Sequence, residues 1–156
     1  MVDIPQTIGV YALLLTLSQR VHVITGRLGR ATFAAGKYIY VGSAFGSGGL
    51  RSRLERHLRG DGRPHWHVDA LRSKADIVGF YFLATNDRVV GDVPWECLWS
   101  QALMALPEVS VPLSGFGSSD CRSGCSAHLV CIPARYRWAV IYEVLSYVVD
   151  WGTMKN

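Results

Sequence analysis

The chain has 156 residues, 49% of them apolar and 18% charged, with a net charge of +4 and a pI near 9.0. That balance excludes a disordered chain and gives enough apolar surface for one domain, residues 1–156, with a proper core. Thirteen of the sixteen cationic residues are arginine, whose planar fork binds two phosphate oxygens at once; the excess suits a nucleic-acid partner and equally a protein that is merely basic.

The chain does not open on a basic patch followed by a long apolar run. No stretch approaches the ~20 apolar residues that a bilayer-spanning helix needs. The expectation is a cytoplasmic or nucleoid-associated protein, with Cys97, Cys121, Cys125 and Cys131 reduced.

Residues 8–17 (IGVYALLLTL) predict a central strand, apolar on both faces. Residues 21–25 (VHVIT) predict a second strand, hairpinned to the first through Ser18-Gln19-Arg20, and GRLGR predicts a turn. Residues 36–42 (GKYIYVG) predict a third strand, with Tyr38, Tyr40 and Gly42 on one face and Ile39 and Val41 on the other. The glycine-rich S-A-F-G-S-G-G that follows lacks the G-K-[ST] ending of a P-loop. Its simpler task is to turn the chain into a helix over about 49–59. Leu50, Leu54 and Leu58 define the buried stripe of that helix; Arg53 and His57 fall on its edge, and Ser52, Glu55, Arg56 and Arg59 point outward. A short helix is predicted over 65–72, a strand over 76–84 and a helix from Pro94 to about 106. A Gly- and Ser-rich loop over 112–126, a strand over 128–132 and a helix over 136–151 complete the chain.

Phosphodiester hydrolysis requires a positioned water, neutralised charge on phosphorus and a stabilised leaving oxygen. The candidates, in chain order, are Tyr11, Tyr40, Arg53, His57, His67 and Glu96. Glu96 is the only charge between Asp92 and Glu108, among Trp95, Leu98, Trp99, Leu103 and Met104. A carboxylate so placed is either paired or holds a metal, unless it lies on the polar side of the helix with Ser100 and Gln101. Tyr11 and Tyr40 also read as core tyrosines. A phenol is a poor base at neutral pH unless cations such as Lys37 or Arg53 favour its ionised form. Cys121, Cys125 and His128 form a C-x3-C-x2-H array with Asp120 and Cys131 close by. Its ligand count suits zinc, but its spacing is not that of paired CxxC motifs, and buried free thiols are the competing reading.

With those residues in place, the chain resembles the GIY-YIG nuclease superfamily. Gly9-Val10-Tyr11 stands for the first motif and Tyr40-Val41-Gly42 for the second. R-L-E-R-H-L carries Arg53 and His57, and Glu96 matches the helical metal-binding glutamate. Within that superfamily the chain is similar to a group known only as a domain of unknown function. That group shares Y-V-G-S-A, a G-G-L helix, H-W-H-x-D and F-G-S-S-D-C…H-L, and members stand alone or attached to a DNA glycosylase of the endonuclease III type. The resemblance implies an α/β (α+β) fold with a three-stranded antiparallel central sheet flanked by helices, extended from about residue 112 by a further strand and helix. It implies a DNA endonuclease directed to branched or damaged DNA, with a DNA-repair partner. One Mg2+ or Mn2+ would sit on Glu96, Tyr11 or Tyr40 would position or deprotonate the water, and Arg53 would neutralise the phosphate. His57 and His67 would assist proton transfer or phosphate contact; Lys37, Arg51, Arg56 and His65 would contact DNA. The F-G-S-G-G stretch before the arginine is longer than in compact nucleases, which makes Arg51 and Arg56 alternatives to Arg53. A non-catalytic nucleic-acid-binding module that keeps the fold is the alternative function, and a small metalloprotein organised by Cys121, Cys125 and His128 is a third reading.

Overall fold

Strand β1 (Gly9–Leu17) is apolar along its whole length because it has a neighbour on each edge and a helical layer on each face. In the computed structural model, which describes residues 3–60, 65–118 and 121–155, it pairs with β4 (Gly36–Ala44) and β5 (Asp76–Ala84). The C-terminal strand β8 (Leu129–Ile132) joins the far edge of β4, giving one antiparallel sheet in the order β5-β1-β4-β8. The central sheet therefore has four strands where three were expected, because the extra strand adds to it directly.

The two-residue period of the strands divides the core. Tyr11, Leu13, Leu15, Tyr38 and Tyr40 face α1 (Gly49–Arg59) and α2 (His67–Arg72). Val10, Ala12, Ile39 and Val41 face α3 (Trp95–Met104) and α4 (Trp138–Lys155). Pro94 stands one residue ahead of α3 in extended conformation, within the small β6–β7 ladder (Val89–Val90 and Val93–Pro94). No helix among the described residues is long and apolar enough to cross a membrane.

Two local expectations fail for identifiable reasons. Residues 21–25 do not hairpin onto β1, whose edges are both occupied. Instead β2 (Val21–Ile24) pairs with β3 (Arg30–Phe33), a strand not foreseen, across a single 3-10 turn at Gly26–Leu28. In α1, Leu58 is 41% exposed and His57 takes the third buried position. Relative to Leu50, His57 lies only about 20° round the helix, inside the stripe that Leu54 extends, whereas Leu58 lies about 80° away.

Register explains the glycine of the second motif, Gly42. Tyr11 is the Cα partner of Gly42, and its ring lies where a side chain at 42 would be. A Cβ there would stand 2.5 Å from the Tyr11 Oη and 2.6 Å from its Cζ. Gly42→Ala is expected to cost about 3 kcal/mol, read as a lower urea midpoint at unchanged m-value, since a pinned ring cannot yield to the methyl.

Candidate functional site

The ladder between β4 and β8 runs only from Lys37 to Tyr40. At His128 the chain leaves the sheet: its carbonyl still accepts the Val41 N–H at 2.8 Å, but its own N–H goes to Phe116 O. Beyond that point the edge of β4 opens onto a cavity of about 360 Å3. Tyr40 and Ser43 come from β4, Arg53 from α1, Trp66 from the start of α2, Glu96 from the first turn of α3, and Arg122 from the long loop before β8.

Arg53 is held from two sides. Its Nη1 donates to Ser43 O at 2.8 Å, and its guanidinium lies 4.1 Å from the Trp66 ring centroid. Arg56 also lies against Trp66, at 4.5 Å, and donates to both carboxylate oxygens of Asp69 at 3.0 and 3.2 Å. Asp69 accepts the backbone N–H groups of His65 and Trp66 at 2.6 and 2.8 Å. Burial alone would raise the Asp69 pKa, but Arg56 and those two N–H groups hold it below the usual carboxylate range. The H-W-H-x-D segment is thus a device that folds Trp66 against the two arginines.

Glu96 is half-buried, and its Oε2 has no hydrogen-bond partner among the described residues. Burial raises its pKa, with its own backbone N–H and the Arg88 charge opposing. The Tyr40 phenol lines the same cavity and is raised by burial, with Arg53 opposing and the Asp69 and Glu96 charges adding.

Tyr11 and His57 sit behind this wall. The Tyr11 hydroxyl is 2.8 Å from His57 Nε2, and the two phenol rings are 6.4 Å apart between centroids. His57 Nδ1 is 4.0 Å from Asp69 Oδ1, beyond hydrogen-bond reach, and has no partner among the described residues. Burial lowers the His57 pKa to about 4, outweighing the opposite pull of Asp69, while Arg53, Arg56 and Arg72 push the same way as burial. The ring is neutral inside the protein, so Nε2 accepts from Tyr11 when Nδ1 carries the proton.

The folded state therefore binds fewer protons than the unfolded chain between pH 4 and 6.5. The stability contributed by neutral His57 is complete above 6.5 and is lost as pH falls towards 4. Lowering the pH from 7 to 5 is expected to cost about 2 kcal/mol in urea unfolding, with a smaller loss in His57→Gln.

The remaining candidates lie elsewhere or act indirectly. His67 Nδ1 accepts the Gly117 N–H at 2.9 Å, so the ring fastens the loop and is not in the cavity wall. Lys37 donates to Ala134 O and Tyr136 O at 3.2 and 2.9 Å, at the other end of β4. Arg51 bonds Ile4 O and Asp3, clamping the N-terminal segment. His65 is exposed, its ring edge-on to Trp66 at 4.6 Å.

Cys121, Cys125 and His128 do converge, and the structure adds Cys97 from α3, which the sequence pattern missed. Cys131 stays apart on β8 beside Tyr38 and Ser110, and Asp120 lies outside the described residues. Gly117 connects the groups: it bonds His67, and a Cβ there would stand 2.9 Å from the Tyr40 ring and 3.2 Å from His128 Cβ. Its φ of +73° is the left-handed conformation that glycine tolerates best. Trp66, Ser43 O, Arg122 and Cys97 were not foreseen. The usable signals were an aromatic flanked by two histidines and a lone thiol next to the isolated glutamate.

Fold and cavity together define a mixed α/β domain with an arginine, a phenol and an unpartnered carboxylate at the open edge of its sheet. Residues 10–147 match the family Domain of unknown function DUF123, and the chain belongs to that family. No curated protein and no solved structure matches it.

Proposed function

We propose that this protein is a metal-dependent endonuclease that hydrolyses DNA phosphodiester bonds in this cavity, acting on branched or damaged DNA. The observation that carries the reading is the buried, unpartnered Oε2 of Glu96 in one cavity with Arg53 and Tyr40. A buried carboxylate oxygen without a partner is costly to keep unless the site uses it. The donor set fits Mg2+ or Mn2+: Mg2+ binds hard carboxylate oxygen through as little as one protein ligand and retains several waters, for which the cavity has room. Held on Glu96, such an ion would supply neutralisation of the phosphate and leaving-oxygen charge.

The chain's own groups supply the rest. Arg53, fixed by Ser43 and Trp66, presents its charge to a phosphate without first having to be ordered. The Tyr40 hydroxyl, neutral because of its burial, accepts a hydrogen bond from the attacking water and orients it. Tyr11 and His57 are positioning residues that support Tyr40 and Arg53 from behind. The net charge of +4 favours a polyanion, and contacts of this kind read phosphate and shape more than base sequence.

A panel of duplex, single-stranded, flap, junction and abasic DNA, each with Mg2+ or Mn2+, tests the proposal. Products should form on at least one substrate, depend on the divalent ion, and vanish in a folded Glu96→Ala protein. Salt-sensitive binding without products under any divalent ion would instead identify a nucleic-acid-binding module.

A further inference from the structure

We infer that this protein carries a structural Zn2+ held by Cys97, Cys121, Cys125 and His128, a donor set separate from Glu96 although Cys97, Cys121 and His128 border the same cavity. One ligand atom from each residue lies within 4.8 Å of all the others. Cys97 Sγ is 3.2 Å from Cys121 Sγ and 3.8 Å from His128 Nε2. Ligands about 2.3 Å from a shared tetrahedral centre stand ~3.8 Å from one another, so the cluster has the span of a single ion's coordination shell. A four-iron cluster places its irons between the thiolates and requires them farther apart than this. The sulfurs of Cys97 and Cys121 are also well beyond the ~2.05 Å of a disulfide.

The donor chemistry selects the ion. Three soft sulfurs and one imidazole favour zinc over the hard cations that suit Glu96. Four protein ligands fill the tetrahedron and leave no open position, which is the arrangement of a structural centre. The backbone of His128 is fixed on both sides, its carbonyl accepting the Val41 N–H and its N–H donating to Phe116 O, each at 2.8 Å, so the imidazole starts from an anchored position beside the three sulfurs. As zinc binds, each thiol releases its proton to solvent and gives its sulfur lone pair to the metal, so no redox partner is involved.

The benefit to the fold is local. Between residue 111 and β8 the described chain has turns but no helix or strand, and Cys97 belongs to a different element, α3. The ion would clip this segment to α3 one residue from Glu96. It would thereby fix Arg122 and Ser123, which line the same cavity. The inference rests on sulfur and imidazole donors and stands whether or not the cavity cleaves DNA.

The test uses the full chain, purified without chelator from zinc-supplemented culture. Elemental analysis should find about one zinc per chain. Cobalt exchanged into the site should show the visible absorption of a tetrahedral ion together with thiolate-to-cobalt charge transfer. Cys97→Ser and Cys125→Ser should each reduce bound metal to about a tenth of the parent's content or less, whereas Cys131→Ser and Glu96→Gln should retain it in full. If the serine variants do not accumulate in soluble form, the metal content and cobalt spectrum of the parent decide. The inference is overturned by a metal-poor parent with four freely titrating thiols, by a mass two hydrogens low from a Cys97–Cys121 disulfide, or by zinc that survives replacement of Cys97.

Discussion

Glu96→Gln is expected to lower divalent-dependent DNA cleavage by about 10³-fold or more and, at the same time, to make the protein more stable by about 0.5–2 kcal/mol. The amide keeps the shape and volume of the carboxylate, removes its charge and exchanges one acceptor oxygen for an NH2 donor. In the folded protein burial holds the Glu96 pKa above its ordinary value, with the Glu96 backbone N–H and Arg88 compensating in part. At neutral pH the ionised side chain is therefore worse off folded than unfolded, and the neutral amide escapes that penalty. The gain should fade as pH falls through the carboxyl range, where the parent is protonated in both states. Thermal melts of the two proteins at pH 7 and pH 4, beside the cleavage assay, separate the effects. Equal cleavage by variant and parent would move the chemistry elsewhere, and a less stable variant at pH 7 would mean that the carboxylate is paired.

Arg53→Lys is expected to reduce kcat/KM by about 10²-fold, and Arg53→Ala by about 10³-fold. Lysine keeps the charge but not the plane. The guanidinium is oriented by two flat contacts, the Trp66 ring at 4.1 Å and the Ser43 carbonyl at 2.8 Å, and an ammonium on a flexible stem can use neither in the same geometry. Trp66→Leu should then share much of the Arg53→Lys defect, because it frees the arginine without removing it. Double-mutant kinetics check this coupling: if Arg53→Lys and Trp66→Leu simply add, the stacking does not position the charge.

The main strands and helices were legible because burial imposes a period on them. GVYALLLTL has to be central, and the alternation in GKYIYVG places Tyr38 and Tyr40 on one face. Pairing was less legible, since which edge a short strand such as VHVI takes depends on where edges remain free. His57 was misplaced in part because leucine is the more usual occupant of a stripe; only the angle from Leu50 shows that the imidazole fits better than Leu58. Within the site, Tyr40, Arg53 and Glu96 line one cavity, a grouping that only the family resemblance implied, while Tyr11 and His57 lie one layer deeper. Cys97 escaped notice because metal patterns are sought among near neighbours, and it stands 24 positions before Cys121.

The early departure of His128 from the sheet bears on how such a pocket can be gained or lost. Residues 126–128 are in line to continue the ladder against 41–43, but Ser126 O accepts the Gly115 N–H and the His128 N–H goes to Phe116 O, so the strand stops where the cavity begins. Access here is thus metered by the length of a terminal strand. Two domains built on this sheet can therefore differ in whether the cavity is open, according to where the last strand stops.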